Sequence, residues 1–307
     1  MTLLHWTLPL PAGYRRDDVI AFHSRDTQAV AEQVTPTGLR KGILLAGVPV
    51  VLDVAFTQDA AICQADLDDN DDTVADLQTP LHGALLNILG LRIDPQPFAQ
   101  LAAADPLLAP LIHVNPGLRI VQSASPFEAL TWAIIGQQIN LPFAISLRRT
   151  FIVQAGRQHG SGLWCYPEAR DVARLSVEDL TSRKFSRAKA ETVLRLAHLV
   201  NDGELSLELP PSGDVVAISQ ALLAVKGIGP WTVNYALLRG YGYADCSLHG
   251  DVAIRAALQK LLGEEVKPDM ARTEQWLRQY APHRTMAAAH LWASLHAPEK
   301  NILPAGE

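Results

Sequence analysis

The sequence predicts a mainly helical protein with a small α+β unit at its N-terminal end, on three observations. The 307 residues are 48% hydrophobic and 19% charged, which is ample for a core and excludes intrinsic disorder. Short runs of branched and aromatic residues bounded by turn residues are confined to the first ~75 positions. From about Val74 onward, apolar residues recur at helical spacing. No apolar run approaches the ~20 residues of a membrane span.

In the N-terminal unit, Asp17 to Gln33 is expected to form its helix. Ile43-Leu44-Leu45-Ala46 and Val50 to Phe56 read as strands, with Gly47 and Pro49 between them and Thr35-Pro36-Thr37-Gly38 before them. The unit is expected to close on an Asp-rich linker, Asp66 to Asp72. Beyond it, Pro95, Pro97, Pro106, Pro110, Pro116 and Pro126 cut the chain into short helices and loops. Phe127, Leu130, Ile134 and Ile135 then mark one helix; Val193, Leu196, Ala197 and Val200 mark another. The C-terminal two-thirds is expected to be all-α.

Net charge is -6, which argues against a polyanionic partner until its distribution is considered. Eight aspartates between Asp53 and Asp76, with no Lys or Arg among them, leave the remainder at +2. Arg183, Lys184, Arg187 and Lys189 form the opposite extreme, a hint of a polyanion-facing surface. Cys63, Cys165 and Cys246 are too few for a disulfide framework or a four-cysteine iron–sulfur site and are expected to be buried hydrophobes. The opening residues Met1 to Trp6 lack a basic stretch, so a cytoplasmic protein is expected rather than a secreted one.

The chemistry is concentrated in Leu222 to Leu237. An apolar helix is expected to end at Val225, and Gly227 and Gly229 flank the single aliphatic Ile228. Pro230 falls at the first position of a new helix, where its missing N–H costs nothing. The glycines permit a tight hairpin and close backbone approach, and the free N–H groups of the new helix suit a phosphate. About twenty residues later Asp251 opens a helical run from Val252 to Leu262; read alone, it is a plain N-cap.

Lys226-Gly227-Ile228-Gly229-Pro230-Trp231-Thr232-Val233-Asn234-Tyr235, followed by Asp251, resembles the helix–hairpin–helix (HhH-GPD) DNA glycosylases, and more closely their 3-methyladenine DNA glycosylase II (AlkA-like) branch. Ala133 to Ile139, Lys184 to Lys189, Tyr280 to Arg284, His290-Leu291-Trp292 and the opening His5-Trp6 extend the resemblance over nearly the whole chain. It implies a TBP-like α+β domain over 1–76, a helical subdomain of 77–125 plus 244–307 carrying the aspartate, and a second of 126–243 carrying the hairpin.

The resemblance also implies roles. Asp251 would be the catalytic carboxylate, and Trp231, Tyr235 and Trp292 would wall the pocket for a flipped base. Gly227, Gly229 and Thr232 would hold a DNA phosphate, and Gln138 would be the wedge in the duplex, where the branch often has leucine. The carbonyls of Leu223 and Val225 would bind a structural Na+ or K+. His249 and Gly250 stand where the branch often has proline and a second acidic residue, and Lys226 replaces the more usual proline.

The implied activity is monofunctional excision of alkylated bases, such as 3-methyladenine and 7-methylguanine, from double-stranded DNA by a monomer, with no required cofactor. Base flipping costs a few kcal/mol. A base alkylated on a ring nitrogen is cationic and leaves without a general acid, so one carboxylate that stabilises the sugar cation suffices. A lyase would need an amine for a Schiff base; in lyase relatives that lysine stands where Trp231 is here. A non-catalytic DNA-binding module is the other alternative, opposed by Asp251 and the two tryptophans.

Overall fold

The computed structural model describes residues 2–68, 74–210 and 213–295. Strands β1 (Thr2–Pro9), β2 (Glu32–Thr35), β3 (Gly38–Leu45), β4 (Val48–Phe56) and β5 (Ala60–Leu67) form an antiparallel sheet in the order β1-β5-β4-β3-β2. Side chains alternate across the sheet, so Ala61, Cys63, Ala65 and Leu67 of β5 all face the core. Ile43–Leu45 fall in β3 and Val50–Phe56 in β4; Ala46 belongs to the turn instead, and Pro49, expected in the turn, lies in β4.

Two expectations for this unit are corrected. Helix α1 spans only Arg16–His23, while Glu32 and Gln33 lie in β2. Asp26 ends the helical stretch: its carboxylate accepts the backbone N–H groups of Gln28 and Val30, an alternative to helix that this residue type readily offers. Asp66 and Leu67 are strand residues paired with Val51 and Val50, not linker; Asp69 to Asp72 lie outside the described residues.

Helix α2 (Val74–Ile88) turns Leu77, Leu81, Leu85 and Ile88 onto the sheet, in one cluster with Val50, Leu52, Val54 and Cys63. Core packing therefore passes across the expected boundary at residue 76. The helical body follows with α3 (Gln96–Leu101), α4 (Leu108–Val114), α5 (Pro126–Gly136) and α6 (Leu141–Ala155). A small hairpin, β6 (Arg157–Gln158) and β7 (Trp164–Cys165), corrects the all-α expectation. It forms because the edge of β3 is open beyond β2: Tyr166 N–H donates to Gly42 O, and Leu44 N–H donates to Tyr166 O.

After it come α7 (Ala169–Val172), α8 (Val177–Thr181), α9 (Arg187–Asn201), α10 (Val215–Leu223), α11 (Pro230–Gly240), α12 (Val252–Leu262), α13 (Met270–Arg278) and α14 (Arg284–Ser294). Ser125, Asn140, Ser176, Ser186, Asp214 and Asp269 cap their helices through side-chain acceptors. Residues from both expected helical subdomains share one apolar cluster, with Phe98 and Leu108 beside Ile134, Phe151, Leu258 and Leu291. All three cysteines are free and buried, and burial pushes each thiol up to about 12.

Buried ions tie the N-terminal unit to the helices. Lys41 of β3, 1% exposed, donates to Glu32 at 2.6 Å and to Glu128 of α5 at 2.7 Å. Arg148 of α6 bridges the same two carboxylates at 3.1 and 2.8 Å. Burial alone would raise the Glu32 carboxyl; Arg148 and Lys41 overcome it and hold it well below the usual range. This cluster fixes α5, whose far end reaches the candidate site.

Candidate active site

Three helix ends build the site. Helix α10 stops at Leu223, and the chain turns through Val225 to Gly229 before Pro230 starts α11. Gly227 has φ +98, and a Cβ there would stand 2.1 Å from Thr192 Oγ1 of α9, so the turn requires glycine. Gly229 differs. Its φ of -107 suits any residue, and a Cβ would meet nothing within 4 Å, so nothing inside the chain demands glycine there. As N-cap it brings no side chain to the first-turn N–H groups of α11, which stay available.

Asp251 is the N-cap of α12. Its Oδ1 accepts the N–H groups of Ala253 and Ile254 at 2.9 and 3.0 Å. The same carboxylate gathers the two tryptophans: Trp292 Nε1 donates to Oδ1 at 3.2 Å, and Trp231 Nε1 donates to Oδ2 at 3.0 Å. Tyr235, one turn along α11 from Trp231, lies with its ring 5.3 Å from that indole at 32°. Asp251, Trp231, Tyr235 and Trp292 are thus brought together, as a carboxylate fringed by aromatic rings.

Other expected residues are placed less simply. Thr232 is 2% exposed, and its hydroxyl accepts Gln137 Nε2 at 3.0 Å. Its side chain therefore braces the hairpin, and accepting that bond leaves the hydroxyl's own hydrogen to donate, beside its backbone N–H. Gln137 Nε2 also donates to Gly227 O at 3.3 Å, pinning the end of α5 to the hairpin. Gln138 beside it is exposed, with φ +56, at the tip between α5 and α6.

For the expected cation, the Leu223 carbonyl accepts no hydrogen bond among the described residues, and Val225 O accepts only Ile228 N–H at 3.0 Å. Each keeps a lone pair for a hard monovalent ion. The carbonyls of Lys226 and Gly227 are already engaged by Arg195 and Gln137. Of the basic run, Arg183, Lys184 and Arg187 are exposed, whereas Lys189 donates to Ile135 O at 2.8 Å, and burial pushes its amine down.

Sequence reasoning missed several residues here. Trp132 Nε1 donates to the Tyr235 hydroxyl at 2.8 Å, and the Arg239 guanidinium lies 5.9 Å from the Trp292 ring centre. Phe22 and Arg25 reach the same aromatic group from the N-terminal unit, with Arg25 over Trp132 at 5.4 Å and Arg239 over Phe22 at 5.0 Å. Arg239 was findable, being four residues beyond Tyr235 on one helix face. Trp132 adjoins the run Ala133 to Ile139. Phe22 and Arg25 carry no local signal.

No family model matches the chain. The DNA-3-methyladenine glycosylase of Bacillus subtilis is 32% identical over 206 residues, 66% of this chain and 68% of that protein. DNA-3-methyladenine glycosylase 2 of Escherichia coli is 26% identical over 184 residues, 58% of this chain and 61% of that protein. Among solved structures, 3-methyladenine DNA-glycosylase from Archaeoglobus fulgidus superposes with a TM-score of 0.79 at 21% identity, covering 94% of this chain and 97% of that one; it shares the fold. The chain belongs to the DNA-3-methyladenine glycosylases, in the 3-methyladenine DNA glycosylase II branch of the helix–hairpin–helix superfamily.

Proposed function

We propose that this chain is a monofunctional DNA glycosylase that flips alkylated bases, 3-methyladenine and 7-methylguanine among them, out of double-stranded DNA and hydrolyses the glycosidic bond to leave an abasic site. The observation that carries the reading is Asp251, a carboxylate held between the N–H groups of Trp231 and Trp292 at the start of α12. Those rings offer electron-rich faces to a cationic base, worth roughly 0.5–2 kcal/mol each. The carboxylate beside them stabilises the positive sugar as the bond lengthens and orients the attacking water.

Docking follows from the hairpin. The free N–H groups at the start of α11 take a phosphate, and Gly229 supports this reading because its bareness serves no contact within the chain. Gln138, exposed at its tip and anchored through Gln137, fills the space vacated by the flipped nucleotide. The carbonyls of Leu223 and Val225 hold a monovalent cation that steadies the hairpin; it takes no part in the sugar chemistry. No helix among the described residues is long and apolar enough to cross a membrane, and this reading puts a monomeric enzyme in the cytoplasm, at the nucleoid.

The test is chromatography of bases released from methylated duplex DNA by the purified protein, with borohydride present in a parallel arm. Methylated purines should appear, strand breaks should follow only after alkali or heat, and EDTA should change nothing. Trp231 has no amine for an imine, so borohydride should trap no adduct. A trapped protein–DNA complex would overturn monofunctionality; absence of released base would overturn the activity.

A further inference from the structure

Two separate turns of the proposed DNA-facing surface are joined by one side chain. Gln137 closes α5, and its Nε2 donates to Gly227 O at 3.3 Å and to Thr232 Oγ1 at 3.0 Å, both in the hairpin between α10 and α11. The next residue, Gln138, is exposed with φ +56, and its side chain makes no hydrogen bond among the described residues. A left-handed conformation at a residue other than glycine persists where its surroundings over-determine it. Here the restraint comes from both sides. Gln137 holds the hairpin, and Asn140 Oδ1 accepts Phe143 N–H at 3.0 Å at the start of α6. Helix α9 supports both turns: Lys189 Nζ donates to Ile135 O at 2.8 Å, and Arg195 Nη1 donates to Lys226 O at 3.0 Å.

We propose, on the glycosylase reading above, that Gln137 is a positioning residue that couples phosphate capture by the hairpin to insertion of Gln138 into the duplex. The two turns belong to different helix pairs, and the two bonds donated by Gln137 fix the spacing between them. The bond to Thr232 also sets a direction. With Nε2 donating to the hydroxyl oxygen, the hydroxyl hydrogen is left for another acceptor, such as a phosphate oxygen. A phosphate that accepts it strengthens the chain from Gln137 through Thr232, because each hydrogen bond polarises the next. Phosphate arrival therefore tightens the anchor immediately beside the wedge. The hairpin N–H groups grip the backbone without help from Gln137, so the coupling acts on flipping rather than on docking.

The test is single-turnover release of 7-methylguanine from a duplex carrying 2-aminopurine beside the lesion, whose fluorescence rises when its neighbour leaves the stack. Wild type is compared with Gln137→Met, which keeps the side-chain length and loses the amide donor, with Gln138→Ala, and with the double variant. Gln137→Met should weaken the fluorescence rise and lower the maximal release rate about tenfold. The half-saturating protein concentration should stay within about twofold of wild type. In the Gln138→Ala background the same change should cost less than about twofold, because the anchor has no wedge left to hold. Gln137→Glu, whose ionised carboxylate only accepts hydrogen bonds, should show the same split between rate and affinity. Equal losses with and without Gln138, a rise in half-saturating concentration that accounts for the whole loss, or a wild-type rate in Gln137→Met overturns the coupling. A Gln138→Ala protein that excises at the wild-type rate overturns the wedge, and the coupling with it. A wild type that releases no 7-methylguanine overturns the glycosylase reading instead.

Discussion

The indole N–H of Trp231 donates to Oδ2 of Asp251 at 3.0 Å, so the ring proposed to stack on a flipped base is oriented by the carboxylate proposed to face its sugar. Trp292 is held by the other oxygen, and the capping bonds of α12 fix the carboxylate in turn. Base recognition and bond cleavage therefore share one rigid support.

Asp251→Asn should abolish base release while leaving duplex affinity within a few-fold of wild type, because the phosphate is held by backbone N–H groups and not by the carboxylate. The amide also turns a donor toward one indole N–H, which loosens a tryptophan. Timed base release and DNA titration measure both effects. Residual excision above about a tenth of wild type would remove Asp251 from the mechanism.

The two hairpin glycines should behave differently. Gly227→Ala forces a Cβ against Thr192 at a φ of +98, so stability should fall by about 1–3 kcal/mol together with DNA binding. Gly229→Ala meets nothing within the chain, so stability should stay within about 0.5 kcal/mol while affinity falls equally for all sequences. Denaturant unfolding and salt-dependent titration separate these outcomes. Full affinity in Gly229→Ala would show that the hairpin is not the docking element.

Lys41→Met should cost about 3–5 kcal/mol, because Glu32 and Glu128 remain buried with one cation fewer. The loss should appear as a lower Tm with unchanged chemistry per folded molecule. A Tm equal to wild type would mean that Arg148 alone satisfies both carboxylates.

Stability should also fall in mild acid. His290 stacks on Phe98 at 5.6 Å, and burial pushes its imidazole from an ordinary value of 6.5 down to about 4. The folded state therefore resists a proton that the unfolded chain accepts. Its contribution is complete above 6.5 and is lost as pH falls toward 4, by about 3 kcal/mol in all. His290→Phe should flatten this part of the stability–pH curve; an unchanged slope would assign the acid sensitivity elsewhere.

The sequence by itself determined the elements whose signals are local. Pro230 opens α11, Asp251 caps α12, and the apolar spacing of α5 and α9 is readable because helix period and cap chemistry act over a few residues. Gly227 was legible for the same reason, since a left-handed turn advertises itself through glycine. Tertiary structure alone decided where distant side chains meet. That α1 ends at His23 depends on Asp26 and on strand pairing of Glu32 with Lys41. The inward turn of the Thr232 hydroxyl depends on Gln137, ninety-five residues away. The presence of Arg25 and Phe22 beside the aromatic pocket depends on how the sheet docks against α5 and α6 through Lys41 and Arg148. Such contacts are set by burial and by charges that must find partners across the whole chain, and no short window of sequence contains both partners.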